Sequence, residues 1–312
     1  MDSNKNTALI KYQHKTLTKV SNQLSITDKL TSKKRIEKLL ELVFERYEEG
    51  NYKEVIELIT KVIGINPKDA NNYYNRGVVY GNLKKHKEAI SDYTKAIEIN
   101  PEYAPAYSNR GIVYHDLKDY QKAISDYGKA IEINPEYAPA YSNRGSVHDD
   151  LGEYQKAISD YAKAIEINPE YAPAYGNRGN TYNNLEDYEK AISDYTKAIE
   201  VNPKYANAYH NRGFAYDDLK EYQKAISDYT KAIEINPKYA NAYHNRGVAY
   251  QKLGNHEQAN KDFAKSKQLK EQQEKEKFHQ EMLRKATHQE TPTLPAPPPT
   301  PPSSPQNKLP NP

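Results

Sequence analysis

Two apolar stripes, each with helical spacing, alternate along most of the chain. Between residues 104 and 137 the first stripe is Tyr107, Gly111, Tyr114 and Leu117, and the second is Tyr120, Ala123, Ile124, Tyr127, Ala130 and Ile131. Gaps of three and four positions put each set on one face of a helix. Lys118 and Asp119 break the pattern, and Asp119 is suited to cap the second helix by accepting a backbone N–H bond. The second helix is predicted to stop at Asn134, because Pro135 disfavours helical geometry in the residue before it. Pro105 falls in the first turn of the first helix, where proline is tolerated. The segment reads as helix–turn–helix.

The same pattern returns at one fixed step along the chain. Asn-Arg-Gly recurs at 75–77, 109–111, 143–145, 177–179, 211–213 and 245–247, and Ile/Val-Asn-Pro recurs from 65–67 to 235–237 at the same step. Fixed self-similarity of this length is the mark of a stacked-repeat architecture. Units therefore begin at Ala70, Ala104, Ala138, Ala172, Ala206 and Ala240, and a divergent unit covers 36–69, making seven units over 36–273. Gly111 and Ala123 have counterparts in the other regular units. A glycine inside a helix costs about 1 kcal/mol against alanine, so its recurrence predicts close approach between the two helices of a unit. Tyr107 and Tyr127 are then expected to fill the space between neighbouring pairs.

The order aromatic, Gly, aromatic, Ala, aromatic, Ala, Pro at Tyr107, Gly111, Tyr114, Ala123, Tyr127, Ala130 and Pro135 resembles the tetratricopeptide repeat. That resemblance covers about three quarters of the chain. It implies an all-α, right-handed superhelical solenoid whose concave groove is lined mainly by first helices, and a role in binding proteins or peptides. The chain departs from the family at one place. An arginine (Arg76, Arg110, Arg144, Arg178, Arg212, Arg246) stands where the family has an apolar residue, and the second helix of the same unit carries an aspartate (Asp92, Asp126, Asp160, Asp194, Asp228, Asp262). In the divergent unit the same two places hold Leu42 and Leu58. Because both change together, an Arg–Asp pair is expected to bridge the two helices of each regular unit.

A solenoid has no deep pocket, so a binding site is expected as a repeated groove feature. The candidate is the asparagine before each arginine: Asn75, Asn109, Asn143, Asn177, Asn211 and Asn245. By resemblance this place faces the groove, and an asparagine amide both donates and accepts. A ladder of them suits the main chain of an extended peptide, as in other helical solenoids with asparagine ladders; the plainer alternative is that these residues fix local structure or face water. Tyr74, Ser108, Ser142, Gly176, His210 and His244 lie one place earlier, and Val78, Ile112, Ser146, Asn180, Phe214 and Val248 three places later. They vary while the framework does not, as specificity positions would. Asp116, Asp149, Asp150, Asp217 and Asp218 make the late part of the first helices acidic, a feature that suits either basic peptide segments or a solvated face. The family's two-carboxylate clamp for chaperone tails needs lysines where this chain has Asn71, Pro105, Pro139, Pro173, Asn207 and Asn241, so chaperone C-terminal tails are disfavoured as partners.

Composition agrees with a binding module and adds exclusions. With 45 basic and 42 acidic residues the net charge is +3, which lacks the basic footprint of a nucleic-acid binder. A mean hydropathy of −1.02 suits an elongated chain with much solvated surface. There is no cysteine, hence no disulfide framework or thiolate metal site. No phosphate loop or nucleophile elbow is present, so neither catalysis nor a cofactor is expected. The nine histidines are scattered; His210 and His244 share one register but supply no third metal ligand, and His148 reads as a packing variant of a stripe tyrosine. Neither a signal peptide nor a membrane span is visible, so a cytoplasmic protein is expected.

The ends differ from the repeats. Residues 1–35 are polar and expected to be largely flexible, 274–290 continue the last helix with favourable Glu271–Lys275 and Glu281–Lys285 pairs, and 291–312 are proline-rich and expected to stay extended. A short coiled-coil contact through Phe278 and Met282 would make a self-associating assembly protein the first alternative to a peptide-binding scaffold; an accessory subunit of a separate enzyme is the second.

Overall fold

The structure is a computed structural model, and it describes residues 26–288. The expectations for the segment 1–25, for the tail 291–312 and for the Glu281–Lys285 pair lie outside what it describes. Among the described residues there are only helices and turns. The first pair is α1 (Ile26–Glu48) and α2 (Tyr52–Ile65), so α1 begins upstream of residue 36. Then come α3 (Ala70–Asn82) with α4 (His86–Ile99), and α5 (Ala104–Asp116) with α6 (Tyr120–Ile133). They are followed by α7 (Ala138–Asp150) with α8 (Tyr154–Ile167), and α9 (Ala172–Asn184) with α10 (Tyr188–Val201). The last pairs are α11 (Ala206–Asp218) with α12 (Tyr222–Ile235), and α13 (Ala240–Lys252) with α14 (His256–His288).

Local chemistry explains each boundary. Asp119 and Asp187 accept the backbone N–H of Lys122 and Lys190 and cap α6 and α10. The turn between paired helices closes through a residue in the left-handed region, Lys118 (φ 59°) after α5 and Gly152 (φ 71°) after α7. The N–H of the residue that follows reaches back into the helix, as from Asp119 to the Tyr114 carbonyl. Between units, the side chain of Asn134 accepts the N–H of Glu136 beside Pro135, and Asn100, Asn168, Asn202 and Asn236 do the same. This asparagine–proline turn ends one pair and starts the next.

The core is a chain of small clusters at the helix contacts. Ala123 and Tyr127 pack on Val147 of the next unit, and Ala104 and Ala130 on Ala140, with Tyr107 against them. Such a core, divided among neighbouring repeats, is what makes a solenoid. In the divergent unit Leu58 is buried in one cluster with Leu42, Val43 and Val55.

The glycines correct one expectation. A Cβ added at Gly111 would lie 2.9 Å from Tyr127 Cε1, and the same collision with the tyrosine of the paired helix recurs at Gly77, Gly145, Gly179 and Gly213. The backbone is a secondary neighbour, with the Ala157 carbonyl oxygen 3.2 Å from a Cβ at Gly145. The glycine opens a slot for an aromatic ring of its own unit, so Tyr127 sits inside its pair as well as reaching the next one.

The first helices of successive units touch one another (α3 to α5, α5 to α7, α7 to α9, α9 to α11, α11 to α13), whereas the second helices are held apart. A stack whose first helices are crowded and whose second helices are spread curves around the first helices, which therefore form its inner surface.

Candidate functional site: the inner asparagine row

The arginine behind each ladder asparagine locks its unit. Arg110 donates through Nε and Nη2 to Asp126 Oδ2 and Oδ1, both at 2.8 Å. The same two-point bond joins Arg76–Asp92, Arg144–Asp160, Arg178–Asp194, Arg212–Asp228 and Arg246–Asp262. The aspartates are buried, and the bond to Asp126 leads the causes that hold the Arg110 guanidinium above its ordinary value. Sequence reasoning missed the third contact. Arg110 Nη1 donates to Thr94 Oγ1 of the preceding unit at 2.9 Å, and Arg76, Arg212 and Arg246 reach Thr60, Thr196 and Thr230. Gly128 and Ala162 stand at the matching places for Arg144 and Arg178, which lack this bond. Arg144 is accordingly the most exposed of the six, at 25% against 16% for Arg246.

The asparagines themselves differ from one another. Asn109 Nδ2 donates to Tyr74 Oη of the preceding first helix at 3.0 Å, with the Tyr93 hydroxyl close by. Asn211 Nδ2 donates to Asn180 Oδ1 at 2.8 Å, an oxygen that also accepts from Tyr195 Oη at 2.8 Å. Asn245 Nδ2 lies 3.1 Å from His210 Nε2, and His210 Nδ1 lies 2.9 Å from Asn211 Oδ1. Since Oδ1 only accepts and Nδ2 only donates, His210 carries its proton on Nδ1 and accepts at Nε2. Burial holds its pKa below the ordinary value. Asn75 is buried, at 7% exposure. Asn143 and Asn177 are half-buried and have no side-chain partner among the described residues.

The repeat length and these helix pairs can be compared with known proteins. Five consecutive matches to the tetratricopeptide repeat cover 70–103, 104–137, 138–171, 172–205 and 206–239, and a sixth covers 228–259. The chain belongs to the tetratricopeptide-repeat family. Among solved structures it is similar to a tetratricopeptide repeat protein from Parabacteroides merdae ATCC 43184, with 23% identity over 76% of this chain and 93% of that one, at a TM-score of 0.59. It is also similar to a chain of the APC/C hetero-tetramer Cut9–Hcn1, with 20% identity over 74% of this chain and 45% of that one, at a TM-score of 0.62. A third similarity is to MamA, at 30% identity over 53% of this chain and 96% of MamA, with a TM-score of 0.49. Among curated proteins, none matches the sequence.

In this tetratricopeptide-repeat protein the acidic places of the inner helices are partly occupied by the protein's own groups. His115 Nε2 meets Asp150 Oδ2 at 2.7 Å, Thr181 Oγ1 donates to Asp149 Oδ1 at 2.6 Å, and Lys252 Nζ donates to Asp217 Oδ2 at 3.0 Å. Burial raises the pKa of Asp149 and of Asp218 above the usual carboxylate range. Ile112 and Phe214, three places after ladder asparagines, are exposed at 40% and 41%. His148 is buried, with Nδ1 2.6 Å from Glu153 Oε2. Among the described residues no group of three or more His, Asp or Glu is arranged to hold a metal, and no helix is long and apolar enough to cross a membrane.

Proposed function

We propose that this tetratricopeptide-repeat protein is a protein-interaction scaffold whose concave surface holds an extended segment of a partner. The family supports the general role. The observation that carries the specific reading is the row of ladder asparagines in one register on the helices that line the inside of the curve, with the side-chain amides of Asn143 and Asn177 unpartnered among the described residues. An amide that donates and accepts matches the C=O and N–H of a peptide bond whatever the side chains. Ile112 and Phe214 offer apolar anchors in the same groove, and the acidic residues flanking them favour basic partner segments.

The test is an affinity pull-down from the source cell with wild type and with Asn143→Ala/Asn177→Ala/Asn211→Ala, circular dichroism showing that both fold. Partners lost only from the variant are expected. Partners retained equally by both would move recognition away from the groove.

A second reading, self-association, is favoured by α14. Beyond the last unit it exposes Phe278 at 67% and Met282 at 51%, one turn apart on one face. A sedimentation coefficient that rises with concentration, and falls back in Phe278→Ala/Met282→Ala, is the expected sign; a constant value removes this reading.

A further inference from the structure

The six ladder positions belong to two kinds of unit, and the difference is written at two other places. Where the second residue of the unit is asparagine, the fifth carries a ring: Asn71 with Tyr74, Asn207 with His210, Asn241 with His244. Where the second residue is proline, the fifth is small: Pro105 with Ser108, Pro139 with Ser142, Pro173 with Gly176. The structure gives the cause. Tyr103 Oη donates to Asn71 Oδ1 at 2.8 Å, which leaves Tyr74 room to lie against the Tyr103 ring at 5.1 Å between centroids. His210 likewise lies against Tyr239 at 4.8 Å. Proline has no side-chain acceptor, and in that unit Tyr137 lies beside Ser108, in the space a ring would use. At Gly176 even a Cβ would meet the Tyr205 ring at 3.2 Å.

The ring at the fifth place is what holds the next unit's asparagine. Tyr74 accepts from Asn109 and His210 from Asn245, each across the same step between inner helices. Ser108 and Ser142 are too short to do this, so Asn143 and Asn177 stay unheld. Asn211 follows Gly176 but is held by Asn180 instead. The floor below sets Asn143 apart, whereas Tyr161 below Asn177 has Ser146 as its neighbour. The hydroxyl of Tyr195 bonds Asn180, and those of Tyr93 and Tyr229 lie beside Asn109 and Asn245. The Tyr127 hydroxyl, in the place below Asn143, is fully buried with no partner. Asn143 has left its internal hydrogen bond unmade and the hydroxyl below it orphaned among the described residues.

We propose that Asn143 and Asn177 are the two ladder residues that grip the partner's main chain, and that Asn109, Asn211 and Asn245 are internal struts that shape the groove on either side. This rests on the groove reading above and narrows it to the proline-type units. The partner it fits is an extended peptide with two bared main-chain amides about two to three residues apart, because each unheld asparagine presents one donor–acceptor pair and packed inner helices lie about 8–10 Å apart against about 3.3–3.6 Å per extended residue.

The experiment uses the full chain and a displayed library of short random peptides, from which binders to wild type are selected and their affinities measured against three variants. Asn143→Ala/Asn177→Ala should weaken binding by about thirtyfold or more, as expected for losing the four hydrogen bonds of two donor–acceptor pairs. Asn109→Ala/Asn245→Ala, which removes struts and leaves the gripping amides in place, should weaken it less than the central pair does. Pro105→Asn/Ser108→Tyr copies the ring-bearing unit 70–103 into 104–137, so it should tether Asn143 and weaken binding by about tenfold with the melting temperature kept. Loss at the outer pair that equals or exceeds loss at the central pair would overturn the proposal while leaving the groove reading intact, as would wild-type affinity in a folded Pro105→Asn/Ser108→Tyr protein. Binders indifferent to every variant, or a library without binders, would remove the groove reading and the proposal with it.

Discussion

Arg110 and Asp126 face each other across the two helices of one unit in a parallel two-point bond, Nε to Oδ2 and Nη2 to Oδ1, both 2.8 Å long. The ring of Tyr107 lies under the guanidinium at 5.6 Å, so the pair is roofed by an aromatic as well as walled by the helices. Its equivalents fix the helix pair of each regular unit, and the bond from Arg110 Nη1 to Thr94 ties that pair to the preceding unit.

Breaking one such pair leaves a buried charge alone. Arg144→Leu is expected to destabilise by about 3 kcal/mol, because Asp160 keeps its buried site with only His148 Nε2, 4.0 Å away, left beside it. Arg144→Leu/Asp160→Leu should recover most of that loss, since Leu42 and Leu58 already fill the same two places in the divergent unit. Denaturant unfolding of both variants checks this; a harmless Arg144→Leu would show that the pair contributes nothing.

The missing hydroxyl at residue 128 is a place to gain stability. Gly128→Thr gives Arg144 Nη1 the acceptor that Arg110 finds in Thr94, in a spot where an added Cβ meets nothing within 4 Å. The variant should be more stable than Gly128→Ala by about 0.5–1.5 kcal/mol, less the small difference in helix propensity. Comparing the midpoints of the two variants reads the bond against that propensity difference; a Gly128→Thr protein less stable than Gly128→Ala by the full difference of about 0.7 kcal/mol would show that Nη1 has no need of it.

The aromatic slot predicts the opposite response at a neighbouring glycine. Gly145→Ala pushes a Cβ to 2.9 Å from Tyr161 Cε1, so it should destabilise by about 1–3 kcal/mol despite the better helix propensity of alanine. Calorimetric melting of Gly145→Ala beside Gly128→Ala reads this directly: the first should melt lower than wild type and the second no lower.

His210 makes stability depend on pH in a stated direction. Burial lowers its folded-state pKa below the unfolded value of about 6.5. The unfolded chain therefore binds the proton first as pH falls, and stability is lost from about pH 6.5 down to the folded-state value, with no effect above that window. Protonation also puts a donor opposite the Asn245 Nδ2 donor. His210→Tyr, the residue found at the matching Tyr74, should show a flatter fall in melting temperature between about pH 7 and 5 than wild type. An equal slope would show that His210 takes up its proton without strain.

What the sequence made legible follows from what a single unit encodes. The helix pair, the Asp119 cap, the stop before Pro135 and the Arg–Asp pair all lie within one repeat, and periodicity exposes them. Contacts between units depend on how far each pair rotates against the next, which no one repeat contains. Hence Thr94 under Arg110, the rings of Tyr74 and His210 holding the next asparagine, and the division of the ladder into held and unheld residues appear only in the assembled stack. A signal did exist for the last of these, in the joint variation of Asn71/Tyr74 against Pro105/Ser108, but it gains meaning only once Tyr103 and Tyr137 are seen to choose between the two. The glycine reads in sequence as a meeting of backbones because helix spacing cannot tell a close backbone from a ring on the paired helix.

The most direct test of recognition on the inner surface is site-specific photo-crosslinking in the source cell. A photoreactive amino acid is placed at Ile112 or Phe214, which are exposed among the ladder residues, or at Glu132, which is exposed on the outer helix α6. The account predicts discrete partner crosslinks from 112 and 214 that vanish when Asn143→Ala/Asn177→Ala is added, and none from 132. Crosslinks from 132 alone, or crosslinks from the groove that survive loss of both asparagines, would contradict it.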